Sequence, residues 1–258
     1  MKKDFILSIS SILVFLILWE VYYWTIIKNP FLLSPPSKVL PTFLKLLLFK
    51  DPNFLMPIDI LYSLFHYAIG FTAAVTLGFV FGLLMGYYKS FERLTYPVVE
   101  LLRPIPPIAW IPISILFLKL THISAGFIIF IGSFFPILLN TRHGVANVEL
   151  RFIEAGKTLG AGKIELLKKI IIPSALPSIL TGIRVGSGIA WMCVVAAELF
   201  GVAPYGLGYQ IEIARLYHTP EIVISYMLAI GLIGFALDRV YKALEAKQLR
   251  WRRGFVVE

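Results

Sequence analysis

The chain has one cysteine among 258 residues, Cys193, set in an apolar run. A single thiol makes no internal disulfide and no thiolate zinc site, so Cys193 is read as a small packing residue. Histidine is nearly as scarce. His66, His122, His143 and His218 are scattered without an H-E-x-x-H or similar ligand spacing. That spacing offers no metal centre. Positions so far apart also offer no Ser/His or Cys/His arrangement for nucleophilic chemistry. Charged residues make up only 15% of the chain, and acids are the minority, 15 against 24 lysines and arginines. The acids cluster near the ends of apolar segments, with Glu20, Glu100 and Glu198 as the exceptions. A transporter driven by an ion gradient would usually need carboxylate or histidine relays within the membrane.

Apolar residues fill the space instead. They make up 58% of the sequence, and the mean hydropathy is +0.82, which places the chain in the membrane class. The net charge of +9 would suggest a nucleic-acid partner in a soluble protein. In a membrane protein it first raises the question of which side the charges occupy, and no nucleic acid is expected. Segments near 5–27, 60–88, 94–118, 123–140, 175–200 and 221–244 are long enough to cross a bilayer, giving six spans. The first begins "MKKDFILSISSILVFLILWEVYYWTII". It runs past the length of a signal-peptide core and ends without a small-residue cleavage site, so it reads as a retained span that starts in the cytoplasm.

With that start, sixteen of the 24 basic residues fall on cytoplasmic pieces and six outside, while Arg103 and Arg184 lie within spans. This bias predicts a multi-pass protein with both termini inside. The segment "PPSKVLPTFLKLLL" in the first outer loop predicts a short amphipathic helix on the outer surface. Residues 1–59 therefore read as a span plus an external amphipathic segment. Residues 60–258 read as a core of five spans with a cytoplasmic loop at 141–174. Rows of small residues four apart, Gly78, Gly82, Gly86 and Ser178, Gly182, Gly186, Ala190, predict close helix packing, with one row a candidate for a subunit interface.

The cytoplasmic loop is the most informative stretch. Val148, Phe152, Ala155 and Leu159 repeat at helical spacing, "GAG" at 160–162 breaks the pattern, and "KIELLKKIII" resumes it until Pro173, which is expected to stop it. The prediction is helix, glycine turn, helix, with an apolar stripe that must bury against something. The loop contains Gly156-Lys157-Thr158, the tail of a phosphate-binding loop. The full motif needs a glycine five residues earlier, where Arg151 stands, and bulky residues with Glu154 fill the positions that should cradle phosphate. A nucleotide site is excluded on these grounds.

The same stretch, "EAGKTLGAGKIELLKKIIIP", resembles the signature of binding-protein-dependent ABC-importer permeases. Glu154, Ala155, Gly160, Ile170 and Pro173 fall on that pattern; Gly156 replaces the usual alanine and Ile172 the usual leucine. The segments "LRPIPPIAWIPI", "FFPILLNTRHGV", "PSALPSILTGIRVGSGIAW" and "AAELFG…GLGY" are similar to the nitrate, taurine and aliphatic-sulfonate branch. The resemblance covers nearly the whole chain. It implies an all-α integral membrane protein with six spans, the type I importer permease fold and a coupling-helix loop. Its implied partners are a second permease copy, two separate ATPase subunits that bind ATP and Mg, an extracytoplasmic substrate-binding protein and the lipid bilayer of the cell membrane. The permease itself then needs no cofactor and is not an enzyme. The coupling residues carried over are Glu154, Ala155, Gly156, Gly160, Ile170 and Pro173.

For the pathway, Pro104, Pro106, Pro107 and Pro112 predict a broken third span beside Trp110. Arg103 and Arg184 lie about 13 Å from the cytoplasmic ends of their spans if those are straight. Each is expected either to favour anions or to pair across spans. Arg103 has Glu100 three residues away, whereas Arg184 has no sequence-local acid. Trp191 is a candidate lining residue, and Glu198 is a candidate outer gate or docking surface. The substrates left open are nitrate, sulfonates, taurine, bicarbonate or a vitamin precursor such as a pyrimidine or riboflavin. The rival function is an ion-gradient-coupled secondary transporter.

Overall fold

The computed structural model describes residues 2–249, and its regular elements are all helical. We number them α1 (Lys2–Tyr22), α2 (Pro36–Leu47), α3 (Met56–Tyr87), α4 (Lys89–Leu102), α5 (Ile111–Leu118), α6 (His122–Ala146), α7 (Leu150–Thr158), α8 (Lys163–Leu199), α9 (Leu207–Leu216) and α10 (Pro220–Gln248). A wide π turn, Tyr23–Ile27, extends α1, and a 3-10 turn, Pro107–Trp110, leads into α5.

The core is built on α6, which is gripped on two sides by glycine faces. Along α3, a Cβ at Gly70 would lie 2.4 Å from the Gly126 carbonyl oxygen. One at Gly82 would lie 2.6 Å from Leu138 O, and one at Gly86 would lie 2.6 Å from Val145 Cβ. Along α8, Gly182 meets Asn140 and Gly186 meets Ile137, and Ser178 packs on Gly144 of α6. Both predicted small-residue rows are thus spent on packing within the chain, against adjoining faces of one helix that share Ile137. Neither is needed to explain a subunit interface. Backbones approach this closely only where side chains are absent.

These contacts also fix direction. Residues 70, 78, 82 and 86 meet progressively later residues of α6, so α3 and α6 run parallel, whereas α8 runs antiparallel to α6. Between two parallel spans the chain must return across the bilayer. That return falls to α4 and α5. Among the described residues, five helices are long and apolar enough to cross a membrane, and the α4–α5 pair makes a sixth when counted as one span.

The break expected in the span over 94–118 is present as a sharp corner, which corrects only the straight-helix depth given to Arg103. α4 and the 107–118 helix meet at 92° across residues 103–106. Pro104, Pro106 and Pro107 remove three backbone donors in succession, so no continuous ladder survives. A second correction concerns Pro173, which does not end its helix. α8 passes through it, with a π-helical stretch over Leu166–Ile171 just before it. A wide turn there eases the clash of the proline ring with the carbonyl four residues back.

The outer-loop helix is present as α2, with Lys38 and Lys45 exposed and Val39 and Leu46 buried. It also packs on α10, where Ser225 donates to Val39 O at 3.3 Å. Glu20 of α1 ties down the start of α2 by accepting from the Ser37 hydroxyl at 2.8 Å and the Ser37 N–H at 3.1 Å.

Candidate functional site

The loop at 147–162 is compact. α7 ends at Thr158, and Gly160, just past the cap residue Leu159, takes φ +79°. The Gly160 N–H then donates to Lys157 O at 2.9 Å and the Ala161 N–H to Gly156 O at 3.0 Å. These two bonds form the helix-ending motif that favours glycine, because only glycine takes the left-handed turn without strain. The Gly162 N–H is held by the Glu165 carboxylate at 3.3 Å, which starts α8. Gly156 faces inward, where a Cβ would lie 2.4 Å from Ile170 Cδ1 and 2.7 Å from Leu166 Cδ2. The helices α7 and α8 are therefore clasped through Gly156, Leu166 and Ile170. Gly156-Lys157-Thr158 is helical, and the Thr158 hydroxyl bonds back to Glu154 O at 3.0 Å, so it has no loop to offer a phosphate.

From Phe152 to Leu159 the predicted apolar stripe remains uncovered within the chain, while Val148 packs against Val145, Ile171, Ala175 and Ile179. Leu159 is 87% exposed and Phe152 46%, and Leu150 and Ile164 beside them are also open. Behind them a groove of about 800 Å³ is lined by Ala155, Gly156, Ile170 and Pro173 among others. The fold thus gathers four of the six predicted coupling residues around one groove. Glu154 stays on the exposed side of α7, and Gly160 sits in the turn.

The two interior arginines are both paired. Arg103 stands at the α4–α5 corner, about half exposed (48%), with Glu100 at 3.5 Å. The depth assigned to it assumed a straight helix, and the corner removes that assumption. Pro106 and Trp110 lie in the same corner, with the Trp110 indole set edge-on to Phe127. Arg184 donates to Asp238 at 3.2 Å and lies 3.5 Å from Glu245, both on α10. These acids are 54 and 61 residues distant in sequence, so sequence-local reading missed them. Arg184, Ser187, Gly188, Trp191 and Asp238 line a cavity of about 230 Å³ between α8 and α10. The Trp191 indole N–H is bound to Ile230 O at 3.0 Å.

Glu198 is not a docking surface: it is fully buried (0% exposed). Its carboxylate accepts from Ser63 at 2.8 Å, from the Gly208 N–H at 3.0 Å and from His66 Nδ1 at 2.7 Å. His66 Nε2 in turn meets His122 Nδ1 at 2.8 Å. Two of the scattered histidines therefore converge on one acid. The available signal was the spacing of Asp59, Ser63 and His66 along one face of α3. Among the described residues, no three His, Cys, Asp or Glu groups are arranged to hold a metal ion.

Residues 74–250 match the family described as the binding-protein-dependent transport system inner membrane component. The chain belongs to that family. An ABC transporter permease protein of Methanocaldococcus jannaschii is 50% identical over 184 residues, 71% of this chain and 69% of that one. The taurine transport system permease protein of Escherichia coli is 31% identical over 97% of this chain and 91% of its own length. The nitrate import permease protein of Synechocystis is 35% identical over 73% of this chain and 68% of its own. Among solved structures, an inward-facing form of the MetNI methionine ABC transporter aligns with TM-score 0.58 at 20% identity. That alignment covers 72% of this chain and 94% of the other. It shares the fold.

This permease is therefore a multi-pass cell-membrane protein of the ABC importer class. Its relatives are permease subunits and not enzymes in their own right. The family match begins within α3, so it includes the α7–α8 turn, the two arginines, His122 and Glu198, but not His66.

Proposed function

We propose that this permease is the pathway-forming subunit of an ATP-driven importer for a small oxyanion or sulfonate, received from an extracytoplasmic binding protein. The observation that carries the reading is the open apolar stripe of α7, Phe152 to Leu159, on a helix held rigidly against α8. An exposed stripe of this kind on a charged turn suits insertion into a groove of a partner ATPase. Glu154, Ala155, Gly156, Gly160, Ile170 and Pro173 then transmit ATPase closure to α8, and the pathway alternates between the two sides. The turn and both chain termini lie on the cytoplasmic side in this reading, and a second permease copy completes the pathway.

The solute class comes from the relatives named for taurine and nitrate transport. Arg184 and Trp191, beside the cavity between α8 and α10, are the proposed lining residues of this half-pathway. Arg103, Pro106 and Trp110 form a second proposed contact at the α4–α5 corner. The test is reconstitution in proteoliposomes with the ATPase subunits and the binding protein, followed by uptake of labelled taurine and nitrate. Uptake that needs ATP and both partners is the expected result. Uptake by this chain alone, driven by an ion gradient, would overturn the reading.

A further inference from the structure

The buried cluster around Glu198 is not used by the proposed coupling or pathway. Glu198 and His66 are fully enclosed. His122 opens α6 at the end of the bundle opposite the α7–α8 turn and is only partly covered. It stacks on Tyr62, which stacks in turn on Tyr205. We propose that Glu198, His66 and His122 form a proton-binding relay, open to the surface through His122, that sets how firmly the start of α9 is held.

A ring nitrogen 2.8 Å from another ring nitrogen shares one proton with it. His66 donates through Nδ1 to Glu198, so with both rings neutral His66 Nε2 accepts from His122 Nδ1–H. A proton arriving at the outer nitrogen of His122 shifts this chain by one bond. His122 keeps the new proton at Nε2 and passes its Nδ1 proton to His66 Nε2, and its Nδ1 then accepts the bond it had donated. The outcome is an imidazolium at His66 against the Glu198 carboxylate, with every hydrogen bond retained. A second proton has no such place. Either it puts N–H on both facing nitrogens, opposing two cations with ring centroids 5.1 Å apart, or it neutralises Glu198.

Both outcomes disturb the packing on this carboxylate, the first by driving His122 and His66 apart and the second by removing one of the acceptor sites of Glu198. Glu198 accepts from the Gly208 N–H in the first turn of α9, and Ser63, which donates to Glu198, accepts from the Leu207 N–H at 2.9 Å. Gly206, at φ +125°, lies so close that a Cβ there would be 2.3 Å from the carboxyl carbon. The entry to α9 is therefore moulded onto one carboxylate, and the relay's proton count is felt there. The other titratable groups facing the relay are Tyr62 and Asp59 on α3, Tyr205 ahead of α9 and Tyr226 on α10. Asp59 accepts from Tyr226 at 2.8 Å and from Gln210 of α9 at 3.2 Å. The hold is firm with no relay proton or one, and weakens as the second binds at acid pH.

The test uses the full chain in lipid nanodiscs, with ¹⁵N-labelled histidine followed by NMR from about pH 8 to about pH 5. The His66 and His122 signals are expected to move together in two linked steps. His122→Gln keeps a hydrogen-bonding partner for His66 but cannot titrate, so a single step should remain. In parallel, the melting midpoint of the wild type should fall by several degrees across the acid half of this range, and that of His122→Gln by less than half as much. Two independent single-step titrations, or identical melting profiles, would overturn the proposal. The wild-type titration needs no variant, so a His122→Gln chain that failed to fold would leave the test standing. Neither readout involves a transported solute, so this proposal and the import function can fail separately.

Discussion

Replacing Gly70 by alanine adds a single methyl group to the parallel crossing of α3 on α6. That methyl would sit 2.4 Å from the Gly126 carbonyl oxygen and 2.6 Å from Ile129 Cβ. A relaxed carbon–oxygen contact needs about 3.3 Å, so the two helices must part by close to 1 Å. Neither obstacle can swing aside, since one is backbone and the other the fixed branch point of a stiff side chain. Overpacking of this kind costs about 1–3 kcal/mol, against about 1 kcal/mol recovered from removing a flexible helix glycine. Gly231 in α10 is the matched control, because a Cβ there meets nothing within 4 Å. Cys193, the only thiol and a buried one, reports unfolding directly through a thiol-reactive dye. At about 2–4 °C per kcal/mol, Gly70→Ala should lower the melting midpoint by a few degrees while Gly231→Ala leaves it level or raises it. Equal shifts in the two variants, or a rise for Gly70→Ala, would refute the claim that α6 is gripped by glycine faces.

Three further outcomes are expected. Gly160→Ala should cost about 1–2 kcal/mol through its left-handed backbone alone, since no atom lies within 4 Å of the added methyl. Limited proteolysis should then cut the α7–α8 turn faster, with Gly160→Asn intermediate. Leu159→Asp, at an 87% exposed position, should leave the melting midpoint unchanged yet abolish co-purification with the ATPase. Arg184→Gln leaves Asp238 to Lys242 and strands Glu245. Uptake of the anion by the assembled complex should fall several-fold, and unchanged uptake would remove Arg184 from the pathway.

The parts of the fold written in local code were legible in the sequence. Apolar run lengths gave the spans, and the glycines at 160–162 gave the turn between α7 and α8. The lysines of the first outer loop gave α2 its exposed face. The prolines at 104–107 foretold a break but not its 92° angle. The continuation of α8 through Pro173 was hidden because the relief comes from a π turn with no residue signature of its own. The partners of Arg184 and Glu198 were hidden for another reason. Asp238, Glu245, His66 and Ser63 lie dozens of residues away, and only the packing of α3, α8 and α10 brings them within bonding distance.

The unbroken course of α8 has a mechanical consequence. Its 37 residues form a lever about 55 Å long, with the α7 clasp at one end and Glu198 at the other. A tilt of about 5° at the clasp sweeps the far end through roughly 5 Å, enough to part the hydrogen bonds that Glu198 makes. The π-helical stretch at 166–171 carries the clasp itself, through Leu166 and Ile170. In the proposed coupling, the geometry of that stretch decides how much of an ATPase push reaches Glu198.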